Sequence, residues 1–139
     1  MKVDGGIGFE LDKAGAQAQE LEAMGYSGIL TAETSHDPFF PLLVAAQHTQ
    51  KIELMTSIAV AFARTPMVLA NIGHDLNAAS KGRFILGLGS QIKPHITKRF
   101  SMPWSNPAPR MREFILAMRA IWASSVSYTH LTLPTKRIV

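Results

Sequence analysis

Short apolar runs alternate with longer stretches of helical spacing four times along this chain, and few folds accept that pattern. A strand of four or five residues followed by a helix, repeated in order, is the signature of β/α units around a parallel sheet. The first strand is predicted around Lys2 to Gly5, ending in Gly-Gly-Ile-Gly. Ala14, Ala18, Leu21 and Met24 then recur at helical spacing, and Gly25 stands where a C-cap glycine belongs. Gly28 to Ala32 reads as a second strand. Pro38 to Gln50 reads as a second helix, with Pro38 in its first turn and Leu42, Leu43 and Ala46 on its buried face. Ile52 to Ser57 is a third strand. A third helix from about Pro66 to Ser80 buries Leu69, Ile72, Leu76 and Ala79, and Lys81-Gly82 closes it. Phe84 to Leu88 is a fourth strand. After a loop of about twenty residues, Ala108 to Ala123 forms a fourth helix packed through Met111, Phe114, Ile115, Met118 and Trp122. Four such units fit either a doubly wound open sheet or half of an eight-unit barrel, which needs about 250 residues when complete. In both, chemistry belongs at the C-terminal ends of the strands.

Composition narrows the partners. Of the 139 residues 47% are hydrophobic and 17% charged, the balance of an ordinary soluble domain. There is no cysteine, so disulfides and thiolate metal sites are excluded. No metal site is expected from the histidines and carboxylates either, because none shows ligand spacing such as H-E-x-x-H. The longest apolar runs, such as Ile58 to Ala63, are far too short to span a bilayer, and the N-terminus lacks the apolar core of a signal peptide. The expectation is a soluble cytoplasmic protein without a membrane partner. The net charge is +4, and Lys136 and Arg137 near the C-terminus supply two of those charges. No basic stripe with interleaved aromatics remains, so no nucleic-acid partner is expected.

The C-terminal stretch departs from everything before it. From Val126 the helical pattern stops, and three threonines with Pro134 replace it. One reading is a β-rich loop or edge strand. The other comes from back-translation: Val126 to Thr135 matches the transposase mosaic end and adapter of a sequencing library. On that reading residues 1–124 hold the four β/α units, 125–139 are a non-native tail, and the native reading frame continued beyond.

Several polar residues fall at strand exits. The loop Thr31 to Pro38 gathers two carboxylates, three hydroxyls and the imidazole of His36, which can orient a ring and exchange protons. Asp37 before Pro38 is read as a helix cap. The third strand leads into Ser57-Ile58, and the fourth into Ser90-Gln91 followed by Lys93, His95, Lys98 and Arg99. That basic cluster reads either as a solvated loop or as a seat for a phosphate-bearing cofactor tail. His48 and His74 lie inside helices and are read as structural. Gly6-Ile7-Gly8 and Gly87-Leu88-Gly89 each begin G-x-G but lack the third glycine of a dinucleotide fingerprint, and Pro94 obstructs the helix after the second.

The ordered set of Gly25 to Ile29, Thr31 to Phe39, Ile52 to Val60, Arg64-Thr65-Pro66 and Gly82 to Ser90 resembles the luciferase-like monooxygenase superfamily. Lys98 to Trp104, with Pro109 to Glu113, resembles its deazaflavin (coenzyme F-420)-dependent oxidoreductase branch. The resemblance implies an α/β chain forming the N-terminal half, four β/α units, of a TIM-type (β/α) barrel, with the cofactor across its C-terminal mouth. It implies a bulge or non-prolyl cis peptide at Ser57–Ile58 behind the cofactor ring, His36 facing the ring as a catalytic residue, and Ser90 and Gln91 beside the cofactor. Several deazaflavin dehydrogenases carry an acid where Gln91-Ile92 stands, which puts their proton donor in doubt here. The function implied is hydride transfer to or from a small organic substrate with coenzyme F-420. An FMN-dependent monooxygenase using molecular oxygen is the alternative, and the full-length parent protein is expected as a homo-oligomer. A third reading is an inactive fragment, aggregated, self-associated or molten and catalytically silent, whose inner sheet face, including Ile29, Leu54 and Leu86, meets water.

Overall fold

A computed structural model describes residues 1–124; the reading of residues 125–139 as a non-native tail lies outside the described residues. The elements run β1 (Asp4–Gly6), α1 (Leu11–Ala23), β2 (Gly28–Thr31), α2 (Phe39–His48), β3 (Glu53–Thr56), β4 (Ala59–Val60), a 3₁₀ turn (Ala61–Ala63), α3 (Pro66–Ala79), β5 (Phe84–Ile85), β6 (Leu88–Gly89), a π-helical turn (His95–Arg99) and α4 (Pro107–Ser124). The α/β class and the βα order follow the sequence reading. The fourth strand differs: it breaks at Leu86-Gly87 into β5 and β6. The chain divides into two compact units, Met1–Ala59 with Asp75–Leu88, and Val60–His74 with the segment from Gly89 on.

The first unit holds a four-stranded sheet in the order β1-β2-β3-β5 with all neighbours parallel. Glycines follow two of the three helices that connect its strands, α1 and α3, as the sequence suggested. Gly25 follows α1 at φ 85°, and Lys81 and Gly82 follow α3 at φ 54° and 85°, conformations that glycine adopts without a Cβ penalty. Against one face of the sheet, Ala14 and Ala18 of α1 and Leu42, Ala45 and Ala46 of α2 pack with Ile29, Ile52 and Leu54. Small residues on α1 let α2 approach closely. A Cβ added to Gly15 would stand 2.8 Å from the His48 ring, whose Nδ1 lies 2.8 Å from the Val44 carbonyl. His48 is thus structural, as expected.

Strand parity corrects one expectation. Ile29 and Leu54 are fully buried against the helices, rather than lying on the open face. The opposite parity faces outward: Leu30 pairs with Met55 and Met55 with Ile85, and Ile85 is 46% exposed. Because side chains alternate along a strand, the one-residue difference moves the whole row. Helix faces shift similarly. Met24, Leu43 and Ala79 are exposed, whereas Leu42, Leu69 and Leu76 are buried as read.

Glu22, near the end of α1, ties that helix to the turn between α2 and β3. Its carboxylate accepts the backbone N–H groups of Gln50, Lys51 and Ile52 at 2.8–3.1 Å. Burial alone would raise its pKa. The three N–H donors and the Arg83 guanidinium outweigh burial and hold the carboxyl below its ordinary value. A group depressed in the folded state stabilises above its unfolded pKa, and that stability disappears as pH falls through the folded value. Glu22→Gln should therefore lower stability at neutral pH and flatten the acid limb below the ordinary glutamate range. Urea midpoints across pH 2–7, taken as an order-of-magnitude working window about that range, check this; parallel curves for the two proteins would refute it.

The second unit packs around the fully buried Phe62. Trp104 meets its ring edge-on at 6.4 Å and Phe114 of α4 lies 6.4 Å away at a tilt. The buried face of α4 is Phe114, Ala117, Met118 and Ile121. Ile115 and Trp122, expected inside, are 39% and 38% exposed. Trp122 nonetheless donates its indole N–H to the Ala70 carbonyl at 2.9 Å. Among the described residues, no helix is long and apolar enough to cross a membrane.

Candidate functional site

Parallel strands deliver their C-terminal ends to one rim, and in the first unit that rim is built by three exits. After β1, Ile7 is buried and Phe9 half-buried. After β2, the buried Thr31 hydroxyl donates to the Pro38 carbonyl at 2.8 Å, which fixes the span of the 32–37 loop. Asp37 Oδ1 accepts the N–H groups of Phe39 and Phe40, the helix cap read from sequence. Within that loop the His36 ring is exposed and stacks on Phe9, centroids 5.2 Å apart at 25°.

After β3 comes a cis peptide at Ser57–Ile58, where the resemblance implied a bulge or such a bond. It is held from both neighbouring exits. Ser57 donates its N–H to the Thr31 carbonyl at 2.6 Å, Glu33 donates its N–H to the Ile58 carbonyl at 3.1 Å, and Ala59 donates to the Gly87 carbonyl at 2.9 Å. The Ser57 and Ile58 side chains are exposed. The loop carrying His36 and the Ser57–Ile58 bond are thereby fixed along the same rim.

Ser90 and Gln91 belong to the second unit. Ser90 is half-buried. Gln91 adopts φ 60°, and its side-chain oxygen accepts the Ile92 N–H at 3.0 Å, so its amide is engaged locally. Lys93, Lys98 and Arg99 are exposed, as a solvated basic loop would be. His95 opens the π-helical turn, and its Nδ1 is buried without a partner among the described residues.

Sequence reading missed two features. One is the buttress beneath the rim, where Thr56 and Gly87 exchange bonds: the Thr56 hydroxyl donates to the Gly87 carbonyl and accepts the Gly87 N–H, at 2.8 and 2.9 Å. A two-residue G-x-G pattern hints at such close approach but does not name its partner. The other is a cavity in the second unit of about 610 Å³, lined by residues 64–66 and 102–114. No sequence spacing signals it, since its walls come from two distant segments.

Comparison with known proteins places these features in context. The family model of the luciferase-like monooxygenases matches residues 2–138. The uncharacterized protein Rv1360 of Mycobacterium tuberculosis is 62% identical over 122 residues, covering 88% of this chain and 36% of the relative. Rv3520c of the same species, whose name proposes a coenzyme F-420-dependent oxidoreductase, is 31% identical over 92% of this chain and 41% of its own length. The chain spans about a third to two fifths of the length of these relatives. Among solved structures, the oxygenating constituent of 3,6-diketocamphane monooxygenase from Pseudomonas putida, in complex with FMN, matches the fold with a TM-score of 0.76 at 18% identity, over 88% of this chain and 40% of that one.

Proposed function

Since the chain belongs to the luciferase-like monooxygenase family, we propose that it is the N-terminal part of an oxidoreductase that seats a deazaflavin, coenzyme F-420, at the rim just described. The observation carrying this reading is the Glu33 N–H bond to the Ile58 carbonyl, which fixes the His36 loop beside the exposed Ser57 and Ile58 side chains. A flat heterocycle needs an apolar floor and polar groups at its edge. Ile58 and the Phe9–His36 stack offer the first, and the Ser57 hydroxyl and the His36 ring nitrogens the second, so the residues fit such a group. The name carried by Rv3520c and the segment Lys98 to Trp104 favour the deazaflavin over FMN. The FMN-bound diketocamphane enzyme supports the alternative, an FMN-dependent monooxygenase, through shared fold.

The bound cofactor supplies hydride transfer to or from a small organic substrate. Ser57 and Ile58 would hold its ring from the first unit. Phe9 keeps the His36 imidazole in plane, and His36 holds or passes the proton that accompanies the hydride. Gln91 cannot do so, because a neutral amide neither gains nor loses a proton near neutral pH. The whole protein is read as a cytoplasmic homo-oligomer. The 139-residue chain by itself is read as catalytically silent, because the ring seat draws on a barrel mouth to which it gives four of eight units.

Titrating the full-length gene product with coenzyme F-420 and with FMN tests the reading. Saturable quenching by F-420 with weaker FMN binding is expected. His36→Ala should weaken that binding, since the ring forms part of the seat, and lower turnover at saturating cofactor about a hundredfold, the usual scale of a lost acid–base group. Tight FMN binding with no response to F-420 would reverse the ranking, and unchanged turnover in the variant would remove His36 from the chemistry.

A further inference from the structure

The geometry points to a second ligand site, for a small organic monocarboxylate with an apolar body, in the cavity of the second unit. That cavity, about 610 Å³, has Arg64, Arg110 and Glu113 among its polar lining and Met102, Pro103 and Phe114 among its apolar walls. Its size lies in the range of small-molecule sites, which combine apolar walls with a few fixed polar groups. It shares no residue with the proposed cofactor rim and stands independently of that reading.

Arg110 is the anchor. It sits near the start of α4, whose first turn carries no acidic residue. A cation there opposes the helix dipole, a local cost that calls for a compensating role. The side chain is held in place. Its guanidinium lies over the Phe62 ring, 4.1 Å from the centroid, and Nη1 donates to the Pro103 carbonyl at 2.7 Å. Phe62 is fully buried, so the platform under the guanidinium cannot shift. A guanidinium has five N–H groups in a planar fork, and the Pro103 carbonyl takes one of them. Arg64 is fixed in turn by its Nη1 bond to the Val60 carbonyl at 3.1 Å.

Two positioned guanidiniums against one carboxylate leave the lining cationic. Planar forks of this kind recognise carboxylates by paired N–H···O bonds. Met102, Pro103 and Phe114 would take the ligand's apolar body. Glu113 sets the charge limit, because its own carboxylate repels a second negative group and so selects monoanions over dianions.

The test is calorimetric titration of the full-length gene product with benzoate, and with benzamide as the neutral isostere. Benzoate should bind saturably and benzamide at least about tenfold more weakly. Arg110→Met should cost benzoate about tenfold or more while leaving benzamide unchanged. If Arg110→Met abolishes the cooperative melt, the exposed Glu113→Gln decides, because removing its charge should tighten benzoate about threefold. Equal binding of benzoate and benzamide would overturn the proposal, as would a Glu113→Gln protein with unchanged benzoate affinity.

Discussion

Gly87→Ala should cost the protein about 3 kcal/mol or more and abolish a cooperative transition at modest urea concentrations. A Cβ at this position would lie inside the closest approach to the Thr56 carbonyl oxygen, a backbone atom that cannot swing aside as a side chain could. Relief requires β3 and the segment between β5 and β6 to separate, and separation breaks both bonds between Thr56 and Gly87. It also draws away the carbonyl that accepts the Ala59 N–H, one of the three bonds around Ser57–Ile58. Against a typical stability of roughly 5–15 kcal/mol the loss is severe. Urea unfolding followed by circular dichroism checks it, and a midpoint equal to wild type would show that the strands have room there.

The second large effect is expected at Arg83. Its Nε donates to the Ser80 carbonyl, Nη1 to the Thr49 hydroxyl and the Ile52 carbonyl, and Nη2 to the Ala46 and Thr49 carbonyls, at 2.7–3.1 Å. All five N–H groups of the guanidinium are thus in use. The Ala46 and Thr49 carbonyls lie at the C-terminal end of α2, where helical carbonyls lack partners within the helix and a cation suits the dipole. Arg83→Met would remove the donors of four carbonyls in a half-buried site, while the Thr49 hydroxyl keeps its bond to the Ala45 carbonyl, a loss of about 3–5 kcal/mol. Arg83→Lys keeps the charge but has neither the fork nor the donor count, so it should recover only a minor part. Thermal unfolding of the three proteins orders them; a lysine variant melting with wild type would show that charge alone suffices.

Arg83 also marks where sequence reading ends. The βα order, the glycines closing α1 and α3, and the Asp37 cap depend on neighbours a few residues away, and all were legible. Arg83 reads in the sequence as one cation before a strand, because all its acceptors except the Ser80 carbonyl lie 31 to 37 residues earlier. The same reason hid Thr56 opposite Gly87 and the cavity between Arg64 and Arg110. Strand parity failed for another cause. Continuous apolar runs such as Gly28 to Ala32 have no polar alternation to show which face meets the helices. Of the expected site residues, Ser57 and Ile58 follow β3 directly and His36 lies in the loop after β2, all in the first unit; Ser90 and Gln91 come after the break at Leu86-Gly87 and belong to the second.

The Glu22 carboxylate bridges to amides 28, 29 and 30 residues further along the chain. Those bonds tie α1 to the turn between α2 and β3, so they need the second crossover in place as well as the first. An interaction that forms late is absent from the folding transition state and present in the native one. Its loss is spent on the way out: weakening it speeds unfolding and leaves the folding rate nearly untouched. Acid acts on the same carboxylate as a substitution would, so protonation loosens the tie between α1 and the turn that leads into β3. Glu22→Gln is therefore expected to speed unfolding more than it slows folding, and stopped-flow rates in both directions would check it.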